Sequence, residues 1–389
     1  MTGHGRPRRS APIRLLLVAL ALAACQAPTA GAPAPARAEP PAPATAPTAG
    51  APAVSAATGT PSAPAWITAR LPEKTHVIYG GPSGALWAVG IALERGYFAD
   101  VNLDLDIEEV TNSAQIAPSL TTGQIDVGHS AASPAVFNAL LRRLPIKAIL
   151  DISHYSPTGK SHLIVVRQDL YDSGELNRLE QLKGRRVAAN GGLGATSIDV
   201  DRALKPLGLS IDDVDQVAIP FPEQPTALAN RSVDGAITVE PYGSRAVEVG
   251  PGRVLRYLNE DYPNHQVSFA LISNRLMEHP EIARAFAVGF LRGVRDYERA
   301  RQYGEDVDGV IADIVKHNRV PPELLQALFR NGANTAMDPD GKLNVASLDY
   351  DLNWYRDHGA IQGELTTADF VDAQYAAYAA RLLGPFGKN

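Results

Sequence analysis

Cysteine is almost absent: the chain of 389 residues has one, Cys25. A single thiol allows no intramolecular disulfide and no multi-cysteine metal site, so zinc ribbons and cysteine-ligated iron–sulfur clusters are excluded. Histidine is sparse as well. The nine histidines form no His-Glu-x-x-His pair, and no metal is expected. Positive charge is in the minority, with 36 Lys and Arg against 42 Asp and Glu and a formal net charge of −6. That balance argues against a nucleic-acid partner attracted by bulk charge. Aromatic residues make up 6%, but hydrophobic residues reach 45% and charged residues 20%. This is the mix of an ordinary soluble globule, with length for two domains at ~100–200 residues each.

The basic residues are unevenly placed. Arg6, Arg8, Arg9 and Arg14 form a positive front before an apolar run from Leu15 to Ala24. Such a run is too short for the ~20 residues a bilayer span needs, but it suits the apolar core of an export signal. It ends Leu22-Ala23-Ala24-Cys25, which resembles the lipobox of bacterial lipoproteins. Residues 1–24 are therefore expected to be a signal peptide, with the Cys25 sulfur taking the lipid. Residues 25–70, dominated at first by Ala, Pro, Thr, Gly and Ser, are expected to be a disordered tether that holds a globule off a membrane surface.

From Thr75 the pattern changes. Short β-rich runs alternate with apolar-periodic stretches of helical length: His76-Val77-Ile78-Tyr79, then a helix over 86–94, a strand over 103–110, a helix over 113–121, and a strand at Ile125-Asp126-Val127-Gly128. A helix over 130–141 and a strand over 146–152 complete this first set. The rhythm restarts near Leu182, with strands at 186–189, 216–219 and 235–238 and helices over 196–207 and 225–230. Strand–helix alternation points to βαβ units and mostly parallel sheets. A second α/β rhythm nested in the first predicts two lobes, lobe 1 from residues 71–161 and 268–389 and lobe 2 from 162–267. The chain would cross between them near His162–Val166 and again near Ser268–Ile272, and these crossings would act as a hinge. The carboxy-terminal third reads as largely helical.

Three strand-to-helix junctions are rich in small and hydroxyl residues: Gly81-Pro82-Ser83-Gly84-Ala85, His129-Ser130-Ala131-Ala132-Ser133, and Gly191-Gly192-Leu193-Gly194-Ala195-Thr196. Helix amino termini present free N–H groups to a polar ligand, and ligands of open α/β sheets sit outside the strands' carboxyl ends. Gly and Ser are also plain turn residues, so one such junction means little; three at matching strand ends mean more. No Gly-Lys-Ser/Thr closes any of them, so none is a P-loop, and no cofactor is expected. Glu240, in Glu240-Pro241-Tyr242, follows a strand and can face a cleft, or be a solvated loop carboxylate. Trp87, Tyr155, Phe221 and Tyr242 lie near strand ends, where rings pack in a core or sandwich a flat ligand. His129 and His154 also sit just past strands, where a structural hydrogen-bonded role is the plainer alternative. No Ser-His-Asp order or carboxylate pair stands out, and catalysis is not expected.

Five stretches together carry a resemblance: Gly96-Tyr97-Phe98-Ala99-Asp100, the run from Ala117 to Gly128, Leu182-Lys183-Gly184-Arg185-Arg186-Val187, the run from Ala227 to Ala236, and Glu240-Pro241-Tyr242. They resemble the substrate-binding proteins of ABC importers for nitrate, sulfonates, taurine and thiamine precursors. The resemblance implies an α/β, two-lobed periplasmic-binding-protein fold of the second type, with two chain crossovers, closing over a small molecule. Carried over residue by residue, it implies ligand contacts from Ser83, Gly84, Ser130, Ala131, Gly194, Ala195, Thr196 and Glu240. Trp87, His129 and His154 join them as candidates from position alone. The partners implied are a small-molecule ligand, a membrane permease, and a membrane reached through lipid on Cys25; a monomer on the periplasmic or extracellular face is expected. No Lys or Arg lies in the matched site motifs and Glu240 would oppose a bare anion, so the reading leans to a heterocyclic or aromatic ligand, with a sulfonate-type one still open. The rival readings are a thiamine-pyrimidine-pathway enzyme on this fold, whose branch resembles proteins with a cysteine cluster, and a sensory ligand-binding module.

Overall fold

The computed structural model describes residues 65–388 apart from 83–84, 111–112, 192, 249–251 and 319. The expected signal peptide, Cys25, most of the tether, Ser83, Gly84 and Gly192 lie outside the described residues. The stretch 65–69, expected to be tether, is instead a 3-10 helix. Its docking has a clear cause. The Arg292 guanidinium lies 4.2 Å from the Trp66 ring centroid and 3.9 Å from that of Tyr97, while Ala69 and Leu71 are buried. Trp66, the buried Ala69 and Leu71 and a hydrogen bond from Arg70 to Asp100 O together fasten it.

The described residues belong to one compact unit. Among them, ten strands make two five-stranded sheets. The first contains β1 (Thr75–Gly81), β2 (Leu103–Glu109), β3 (Val127–Ala131), β4 (Lys147–His154) and, from much later in the chain, β10 (Gln266–Ile272), in the order β2-β1-β3-β10-β4. The second contains β5 (His162–Arg167), β6 (Arg186–Ala189), β7 (Asp215–Ala218), β8 (Gly235–Val239) and β9 (Gly252–Tyr257), in the order β7-β6-β8-β5-β9. In each sheet one strand runs against its neighbours, β10 in the first and β5 in the second. These are the strands that enter each sheet directly from the other. Sequence and burial agree strand by strand. The edge strand β2 alternates Leu103 and Leu105 inward with Asp104 and Asp106 outward, whereas the interior β5 is buried along Leu163-Ile164-Val165-Val166.

The crossings fall earlier than expected. Residues 162–166 and 268–272 are strand interiors, because their apolar runs are covered on both faces. The polar segments before them, 155–161 and 258–265, make the passage. The strand β9 has no counterpart in the sequence reading: its arginines at 253 and 256 disguise a half-buried edge strand.

One helix of the carboxy-terminal third, Val345–Asp357, packs on both sets of elements. Its Leu348, Leu352 and Tyr355 share a core with Phe137 beside the first sheet and Ile198 beside the second. Tyr355 Oη donates to Ala132 O at 3.2 Å, and Trp354 Nε1 donates to Asp201 Oδ2 at 2.9 Å.

Candidate functional site

The parallel strands β1, β3 and β4 end at Gly81, Ala131 and His154, and β6, β7 and β8 end at Ala189, Ala218 and Val239. The candidate residues therefore collect at the carboxyl ends of both sheets, and the two crossings leave from the same region.

In the first lobe the junction after β3 differs from the expectation. Ser130 and Ala131 were expected at a helix start, but both belong to the strand, paired with Phe269 and Ser268 of β10. Pro134 fixes the helix start by its preset φ and disfavours helical geometry at Ser133, so the helix is Pro134–Leu141 and Ser133 is its extended N-cap. The Ser133 hydroxyl makes no capping bond and is buried without a partner. Four residues earlier, the Nδ1 of buried His129 is also unpartnered, and burial pushes this ring down to about 4. His129 is thus neutral at pH 7, with one nitrogen free to donate or accept. Trp87 opens the Trp87–Glu94 helix and is half-buried, its ring 5.7 Å from that of Tyr297.

His154 is differently placed. Its Nδ1 lies 2.7 Å from Asp151, a carboxylate that also accepts from Gln266 Nε2 and from Asp338 N, both at 2.6 Å. Burial would lower its pKa, but the Asp151 carboxylate prevails and raises it. The structural role accounts for what His154 does.

In the second lobe, Gly194 is the extended N-cap of the Ala195–Leu204 helix, and Ala195 and Thr196 are half-buried. A Cβ built on Gly194 would meet nothing within 4 Å, so the space over this helix end is open. Glu240 is partly committed: its two oxygens accept from Ser244 N and Ser244 Oγ, each at 2.9 Å, which caps the Tyr242–Glu248 helix. Burial nonetheless raises its pKa. Beside it the half-buried rings of Phe221 and Tyr242 lie nearly parallel, at 14° with centroids 6.4 Å apart.

Below this region is a cluster that no local spacing reveals. Tyr155 Oη donates to Asp199 Oδ2, and His265 Nδ1 is 2.6 Å from Asp199 Oδ1. The other His265 nitrogen is 3.0 Å from Asp351 Oδ2, and Tyr262 Oη donates to Asp351 Oδ1 at 3.1 Å. Burial alone would lower the His265 pKa; the carboxylates of Asp351 and Asp199 overcome it and raise it to about 10. Tyr155 comes from the first crossing, His265 from the second, Asp199 from the Ala195–Leu204 helix and Asp351 from the Val345–Asp357 helix. All are buried with every named oxygen and nitrogen paired, so the cluster offers no reacting atom to a substrate.

Two cavities elsewhere are shallow and polar-rimmed. One of about 220 Å³ is lined by Arg143, Lys147 and Glu364, and one of about 370 Å³ by Arg167, Asp172 and Arg231. Both lie by the amino ends of parallel strands, away from the candidate residues. Among the described residues no group of three His, Cys, Asp or Glu is arranged to hold a metal ion, and no helix is long and apolar enough to cross a membrane.

A family model described as NMT1/THI5 like matches residues 87–298, more than half of the chain. Among solved structures, the periplasmic aliphatic sulphonate binding protein SsuA of Escherichia coli aligns at TM-score 0.61 and 17% identity, covering 76% of this chain and 91% of its own. The periplasmic nitrate-binding protein NrtA of Synechocystis PCC 6803 aligns at TM-score 0.61 and 15% identity, covering 81% and 90%. At these identities the likeness establishes the fold, a two-lobed periplasmic binding protein of type II. A curated relative, 4-amino-5-hydroxymethyl-2-methylpyrimidine phosphate synthase of Candida albicans (strain WO-1), is 30% identical over 125 residues, which is 32% of this chain and 34% of that protein. The chain thus spans about a third of that relative's length.

Proposed function

Given that the chain belongs to the NMT1/THI5-like family, we propose that it is the substrate-binding component of an ABC importer, lipid-anchored through Cys25 and facing away from the cytoplasm. It captures a small organic nutrient between its lobes and presents the closed form to a membrane permease. The observation that carries this reading is the collection of uncommitted polar atoms and half-buried rings at the carboxyl ends of both sheets, on either side of two crossings. A ligand touching both half-sites favours the closed form by its differential contacts. A micromolar dissociation constant, ~−8 kcal/mol, suffices for capture and release.

The proposed contacts are Ser83, Gly84, Trp87, His129 and Ala131 in the first lobe, and Gly194, Ala195, Thr196 and Glu240 in the second. Ser133 takes the part expected of Ser130. The absence of Lys and Arg from this set, with Glu240 and the Phe221–Tyr242 pair present, supports a heterocyclic or aromatic ligand over a bare anion. A thermal-shift screen of the protein lacking Cys25 tests this against nitrate, alkyl sulfonates, taurine, pyrimidines and aromatic acids. A ligand at 100 times its Kd adds ~2.7 kcal/mol, and recovery of that ligand unchanged supports the reading. The curated synthase relative favours a second reading, a pyrimidine-forming enzyme, and a hit returned chemically altered would select it.

A further inference from the structure

We propose that Asn318, from the carboxy-terminal third, is a positioning residue for the first lobe's share of the ligand site. It fixes the amino end of the Trp87–Glu94 helix in the geometry that meets the ligand; this rests on the binding-protein reading above. That helix lacks a cap of its own. Its N-cap is Leu86, which makes no side-chain capping bond. At N3, where a Glu or Gln would reach back to the N-cap N–H, stands Val89. Asn318 fills that part from 232 residues away, its Oδ1 accepting from Leu86 N at 3.0 Å. Its Nδ2 donates to Ile314 O at 2.8 Å, so the same amide closes the carboxyl end of the Val307–His317 helix, of which Asn318 is the C-cap. The residue is buried with both amide atoms in use.

The clip is aimed by the helix that carries it. Val310, Ile311 and Ile314 share a core with Ala88 and Ile91 of the Trp87–Glu94 helix. His317 lies against Gly90, where an added Cβ would come within 3.4 Å of its ring. Its Nε2 is 2.7 Å from Glu94 Oε1, and Lys316 pairs with the same carboxylate. One residue further on, Arg95 Nε donates to Asp313 Oδ2 at 2.8 Å. The Val307–His317 helix and its cap therefore hold the Trp87–Glu94 helix at both ends, the carboxyl end through charges and the amino end through one neutral amide. Only the second hold adjoins the proposed contacts, since Ser83 and Gly84 immediately precede this helix start in the chain and Trp87 opens it. A half-site that is not held in place gives up affinity to the ordering it must undergo on binding.

The test compares the wild type with Asn318→Ala and Asn318→Asp in melting temperature, amide hydrogen exchange, and affinity for nitrate, taurine, cytosine and benzoate. Asn318→Ala removes both bonds. Asn318→Asp keeps an acceptor for Leu86 N–H but sets a carboxylate against Ile314 O at a helix carboxyl end. Both are expected to lower Tm by about 2–4 °C. Only Asn318→Ala is expected to speed exchange of the Leu86 amide, by about tenfold, and to weaken the Kd of whichever probe binds the wild type by about fivefold or more. Asn318→Asp is expected to stay within about twofold on both counts. A residue that only stabilises the fold would move Kd with Tm, so equal Kd changes in the two variants overturn the proposal. An unchanged Kd or an unchanged Leu86 exchange rate in Asn318→Ala overturns it as well and leaves the binding-protein reading standing. Asn318→Ser takes the place of Asn318→Ala should that variant not fold. No binding of any of the four probes by the wild type counts against both.

Discussion

Two buried polar regions are built to opposite rules. In the cluster at the crossings, Tyr155, Asp199, His265, Asp351 and Tyr262 satisfy one another completely. At the strand ends, His129 Nδ1 and the Ser133 hydroxyl have no partner among the described residues. Taking charges out of water is costly, and pairing recovers that cost only when each atom is met. That cluster meets the condition and ties both crossings to two helices. The strand ends fail it, and under the proposed reading a ligand meets those groups.

The largest effect should come from breaking the satisfied side. Asp351→Ala leaves the His265 imidazolium with one carboxylate and Tyr262 with one acceptor fewer, and is expected to cost about 3–5 kcal/mol in denaturant unfolding. A loss below ~1 kcal/mol would erase the contrast between the regions. Next is the pH dependence of the same cluster. The folded pKa of His265, about 10, stands above its ordinary value of ~6.5. Its contribution is therefore full below ~6.5 and is lost as pH rises from there through about 10, since the unfolded chain has then released a proton the folded one keeps. Unfolding midpoints should fall along that alkaline limb, and His265→Gln should flatten it. His129 and His162, both pushed down to about 4 by burial, act on the acid side: their stabilisation is present above ~6.5 and is lost as pH falls toward 4.

The unsatisfied side should respond weakly in stability and strongly in binding. Ser133→Ala removes a hydroxyl that caps nothing, so it should stay within about 0.5 kcal/mol of the wild type, where a working cap would cost ~1. Its ligand affinity should fall severalfold, as measured by calorimetry on whichever compound shifts the melt. Smallest of all is Gly194→Ala. The space over Gly194 is open and its φ is extended, so Tm should not move, while a weakened Kd would locate the ligand against that helix end.

Much of the fold was legible because its signals are local. Edge strands such as β2 show alternation, interior strands such as β5 show apolar runs, and Gly- and Ser-rich junctions punctuate them. The crossings were misplaced because an apolar run cannot say which of two sheets will cover it. The helix begins after Ser133 rather than at Ser130, because Pro134 sets its first turn. The cluster at the crossings was invisible because its members are 66 and 86 residues apart in the chain.

The chain's three tryptophans sit at three separate stations. Trp66 is covered by Arg292 where the amino-terminal helix docks, Trp354 stacks on His358 with centroids 3.8 Å apart next to the hinge, and half-buried Trp87 stands at the carboxyl end of β1. Under the proposed reading, Trp87, whose ring packs on Tyr297, is the indole beside the ligand. If it is, the protein has a built-in optical gauge: adding a binding compound should change the emission, and Trp87→Phe should silence that change.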